Sequence, residues 1–145
     1  MFSYLGKHEK KRTGMQNMKR EQIFLWLAAA GLTPIALSYG LSPSASMTFL
    51  FDIDASATNA THIFRAIMGL YLALAIFWVS GALKPRLRLP ALYSLTIFML
   101  GLAAGRVLSL IVDGMPHFLL VIYLLLELLF AAVGYYLITR YQPAD

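Results

Sequence analysis

Residues 101–138 read GLAAGRVLSLIVDGMPHFLLVIYLLLELLFAAVGYYLI, and this stretch decides the fold class. Two apolar runs, each close to the roughly 20 residues a helix needs to cross a hydrocarbon layer, flank Asp113-Gly114-Met115-Pro116, a sequence that stops one helix and lets the next begin. An antiparallel helical hairpin follows. Each run carries one charge in its interior, Arg106 in the first and Glu127 in the second. Such a residue costs about 2.5–3.5 kcal/mol at the centre of a spanning helix, so it normally faces protein or water and pairs.

The rest of the chain repeats the pattern. Its 145 residues are 59% hydrophobic and 13% charged, with a mean hydropathy of +0.68, too apolar for an ordinary soluble domain. Four segments, about 22–42, 62–83, 91–112 and 117–138, are long enough to span. Ser42-Pro43, Lys84-Pro85, the 113–116 turn and Arg140 to Pro143 end them, and Pro90 suits the first turn of the third. The expected fold is an all-α integral membrane four-helix bundle of up-down topology, one domain over 22–140 preceded by a flexible basic tail over 1–21.

Lysine and arginine in short loops favour the cytoplasm. Lys7, Lys10, Lys11, Arg12, Lys19 and Arg20, the Lys84/Arg86/Arg88 loop and Arg140 fall on one side; the loops holding Asp52, Asp54 and Asp113 fall on the other. Both termini are therefore expected in the cytoplasm. A competing reading has residues 1 to about 46 as a cleaved signal peptide, but the apolar run exceeds the usual 7–15 residues; Met15 and Met18 are alternative starts. The net charge of +5 sits beside apolar runs as topology and lipid-contact signals. No nucleic-acid partner is expected.

The chain has no cysteine, which excludes disulfides and thiol chemistry. Asp52-Ile53-Asp54 lacks a third ligand and reads as solvated loop charge, so neither metal nor cofactor is expected. Within that loop, MTFLFDI (47–53) is apolar enough to lie in the outer interface as a short amphipathic or re-entrant piece.

At a rise of 1.5 Å per residue, Arg65 lies about 5 Å below His62, Arg106 about 10 Å below Asp113, and Glu127 about 15 Å below His117. All the charge inside the spans is thereby expected in the outer half or at the midplane. Helical spacing aligns His62 with Arg65, Arg106 with Ser109 and Asp113, and Tyr123 with Glu127. The hairpin sets Arg106 opposite Tyr123. The expectation is a polar pocket opening to the outer face, in which Arg106 pairs with Glu127 deep down and Asp113 above, with Arg65 making it net basic and His62 and His117 at its mouth. Gly101 and Gly105, a G-x-x-x-G spacing extended by Ser109, together with Gly69, Gly81 and Gly134, allow close helix contact, within the chain or with a second copy. Trp26, Tyr39, Trp78, Tyr93, Tyr136 and Tyr141, near helix ends, read as aromatic belts.

The stretches NATHIFRAIMGLYLALAIFW (59–78) and LGLAAGRVLSLIVDGMPHFLLVIYLLLELL (100–129) resemble the DUF4345 family of small bacterial four-helix membrane proteins. Its Arg-x-x-x-Gly-x-Tyr, Gly-Arg, Asp-Gly-x-Pro and fourth-helix Glu fall here on Arg65, Gly69 and Tyr71; Gly105 and Arg106; Asp113, Gly114 and Pro116; and Glu127. The resemblance implies the architecture and a bacterial inner membrane, and no activity. The leading functional expectation is that membrane lipids are the partner: Arg65 and Arg106 hold the anionic head of an amphiphile that the protein binds or helps move. The alternative is an accessory or assembly subunit, or a homo-oligomer, in which the buried charges are struts. A third reading, an intramembrane enzyme with Glu127 or His117 as acid/base, lacks a good nucleophile.

Overall fold

In a computed structural model the chain is all helix and connecting segments among the residues described, which are 2–142 for the backbone and 20–142 for side chains. The expected basic tail over 1–21 falls almost wholly outside the described side chains. The elements are α1 (Phe2–Gly40), α2 (Pro43–Phe51), α3 (Thr58–Leu83), α4 (Pro85–Val112) and α5 (Phe118–Thr139). Four have the length and apolarity to cross a membrane, over Arg20–Gly40, Thr58–Leu83, Pro85–Val112 and Phe118–Thr139. α1 runs unbroken through Pro34.

The contacts are sequential: α1 packs on α3, α3 on α4, and α4 on α5. Small residues permit the closest approaches. A Cβ at Gly40 would overlap Met68, one at Gly81 would overlap Ala91, and one at Gly134 would overlap Thr96. A Cβ at Gly69, Gly101 or Gly105 meets open space, and Ser109 is exposed. Of the two partners expected for the G-x-x-x-G face, a helix of the same chain is therefore not found among the described residues. The spacing defines a face, and the neighbouring helices pack on other sides of α4.

The connection between α3 and α4 is one extended residue, Lys84, rather than the loop expected over 84–88. Pro85 opens α4, where its missing N–H costs nothing. Pro90 consequently lies inside the helix and not in its first turn. With so tight a turn Arg88 folds inward, and it is only 2% exposed, as is Glu21 on α1. The expectation that buried charge is confined to the other end is thus corrected. Arg88 Nη2 (3.1 Å) and Gln22 Nε2 (3.0 Å) both donate to the Ala82 carbonyl, capping the last turn of α3. Arg88 Nε and Glu21 Oε2 have no hydrogen-bond partner among the described residues.

The interior is aromatic along its length. Tyr39, Tyr71, Phe98 and Trp78 follow one another at ring separations of 5.8, 5.2 and 5.7 Å, in tilted and edge-on arrangements that suit the ring quadrupoles. Trp78 Nε1 donates to Ser94 Oγ at 3.0 Å. Tyr39 and Trp78 are therefore core residues, not belt residues.

At the far end from Lys84, the apolar stretch 47–53 is helical over much of its length, as α2. Met47 and Phe51 turn inward while Phe49 is 88% exposed. Asp52 ends α2 in the left-handed conformation (φ 58°), which a short polar side chain tolerates better than most. Two residues on, the exposed carboxylate of Asp54 is held below its ordinary pKa first by the Ser56 side chain and then by the Ser56 backbone N–H, which donates to Asp54 Oδ1 at 2.9 Å.

Candidate functional site

Arg106 and Glu127 meet where α4 and α5 run side by side. Arg106 Nε donates to Glu127 Oε1 at 2.9 Å and to Oε2 at 3.0 Å, and the side chains are 22% and 8% exposed. The pair is reached because the Asp113–Pro116 turn folds α5 back along α4 with its first turn fixed: His117 Nδ1 accepts from the Leu119 N–H at 3.4 Å, a long capping bond. The guanidinium also stands 5.7 Å from the centre of the Tyr123 ring, within cation–π range. Only Nε faces the carboxylate, so the Nη end keeps its N–H groups. Neither Nη bonds a described residue with good geometry, although the Tyr39 hydroxyl stands close to the guanidinium.

The pair forms part of the wall of a cavity of about 140 Å³ between α1 and α5. Tyr39, Tyr71 and Tyr123 join Arg106 and Glu127 there, and the remaining lining is apolar. Two lining residues, Gly31 on α1 and Leu126 on α5, are exposed. Leu126 lies about 12 Å along α5 from Phe118, so the mouth opens sideways, partway along the helices. Phe51 of α2 packs edge-on against Tyr39 (6.2 Å), Tyr123 (6.2 Å) and His117 (6.3 Å), covering the end of the helices above the pair. On the other side of Arg106, a cleft of about 550 Å³ runs along α4 and α5 to the 113–116 turn, lined by Gly101, Gly105, Ser109 and Asp113.

Several residues expected at one site are apart. Arg65 is exposed and reaches back to the Gly40 carbonyl, Nε to oxygen 3.4 Å, where it serves the C-terminal end of α1 rather than the cavity. Its place one turn into α3 fixes its depth, but its direction around the helix follows from how α3 packs on α1. His62 is exposed beyond it, and Asp113 is exposed at the end of α4 without an ion pair to Arg106. Among the charged side chains lining the 140 Å³ cavity there is one cation and one carboxylate, so the net basic pocket expected from two arginines is not present. Tyr39 and Tyr71 take the place given to Arg65. Tyr71 was within the family motif, whereas no local signal separates Tyr39 from an interfacial tyrosine.

Residues 21–138 match the family described as Domain of unknown function (DUF4345). No curated protein and no solved structure matches the chain.

Proposed function

The chain belongs to this family, whose description assigns no activity, and we propose that it is a small multi-pass membrane protein whose lateral cavity takes the polar head of an amphiphile, binding it or helping it move. One observation carries this reading: a donor-bearing guanidinium and three tyrosines line a cavity whose other walls are apolar and whose mouth, between Gly31 and Leu126, faces where lipid chains would lie. Ligand sites commonly have such walls, mostly apolar with a few placed polar groups. Water at this depth is scarce, so an unused N–H there gains most from a ligand oxygen.

Gly31→Phe tests the reading at a position where an added Cβ meets open space. It is expected to narrow the mouth and to lower binding of added long-chain lipid by about tenfold or more, equivalent to ~1.4 kcal/mol. Unchanged binding in a folded Gly31→Phe chain would count against the cavity as the site.

In the same proposal the four spans run up and down across a bacterial inner membrane with both termini in the cytoplasm, supported by the one-sided placement of lysine and arginine. The chain has no cysteine, so single substitutions report cleanly. Ser56→Cys is expected to react with an impermeant maleimide in intact cells, and Gln142→Cys only after permeabilisation. The opposite pattern inverts the orientation.

The open face at Gly101, Gly105 and Ser109 favours a second reading, an accessory subunit or homo-oligomer whose partner helix lies in the 550 Å³ cleft. There the ion pair is a strut, and lipid binding is indifferent to Gly31.

A further inference from the structure

We infer that the amphiphile taken by the Arg106 cavity has an uncharged head bearing acceptor oxygens, a long-chain alcohol or ester, rather than the anionic head that a pocket with two arginines would select. This rests on the amphiphile reading above and narrows it. The argument is one of charge balance. Arg106 and Glu127 are the charged side chains lining the cavity, and they are bonded to each other. An anionic head would make the site net negative within the spanning segments, where an unbalanced charge is costly. Arg65 does not offset it, being engaged at the end of α1.

An uncharged oxygen leaves the balance intact and still finds donors. Glu127 uses Nε alone, and the side chains that carry the other donors, Arg106, Tyr39, Tyr71 and Tyr123, are among the residues around the cavity. The chain of the ligand then leaves between Gly31 and Leu126.

The test uses the full chain in detergent, with oleyl alcohol, monoolein and oleate competing at alkaline pH, where oleate is ionised, and occupancy read by native mass spectrometry. The two neutral probes are expected to bind at least about tenfold more tightly than oleate. In Glu127→Gln, which leaves Arg106 as an unopposed cation, the order is expected to reverse. Oleate matching or exceeding the neutral probes on the native chain overturns the inference and leaves the amphiphile reading standing. If the native chain binds none of the three, the amphiphile reading fails and this inference with it. Should Glu127→Gln not fold, the competition on the native chain decides alone.

Discussion

Replacing Arg106 by leucine is expected to lower the stability of the folded chain by about 3–5 kcal/mol, because it strands the Glu127 carboxylate among apolar groups with its partner gone. Glu127→Leu is expected to cost a similar amount by stranding the cation. The double replacement should recover most of the loss, since a packed hydrophobic pair in place of a buried ion pair is often neutral or better. Reversible unfolding of the four proteins in mixed micelles gives the coupling directly. Single losses that simply add, with no recovery in the double variant, would show that the two groups do not act as a pair.

The second large effect belongs to the other end of the molecule and is asymmetric. Arg88→Met removes a donor from the Ala82 carbonyl and also leaves Glu21 without a nearby cation, which together should cost about 3–5 kcal/mol. Glu21→Leu should cost less, because the attraction it takes from the buried Arg88 is offset by the desolvation it relieves, Glu21 Oε2 being buried with no hydrogen bond. Arg88 keeps its bond to Ala82 in that variant. The same unfolding measurement separates the two; equal losses for Glu21→Leu and Arg88→Met would mean the two side chains are bonded as closely as Arg106 and Glu127.

The membrane-length helices were legible because the signal is summed over about twenty residues and survives local misreading. The pairing of Arg106 with Glu127 was legible for a related reason. Both lie on one hairpin with a short turn, so counting residues from Asp113 and His117 gives their relative height. Arg65 shows where that counting ends: height follows from sequence, but rotation about the helix axis depends on which neighbour α3 meets. The glycines teach the same lesson. Gly101 and Gly105 carry a recognised spacing and meet nothing, whereas the isolated Gly81 and Gly134 admit Ala91 and Thr96 because the hairpins bring those residues across. Arg88 was hidden by its company, since Lys84, Pro85, Arg86 and Pro90 together look like a loop. A Pro at the first helical position and a one-residue connection turned that segment into the start of α4. Tyr39 comes from α1, three elements before α4, and no spacing within one hairpin could have brought it to Arg106.

These placements converge on a largely apolar cavity whose lining includes the Arg106–Glu127 ion pair and whose mouth faces sideways. Photolabelling with a long-chain alcohol carrying a diazirine near its hydroxyl, followed by mapping of the modified residues, tests that most directly. The account predicts adducts concentrated on Tyr39, Met99, Tyr123 and Leu126, lost in a folded Gly31→Phe chain. Adducts spread over outward-facing residues such as Ile76 and Ile97, and indifferent to Gly31→Phe, would contradict it.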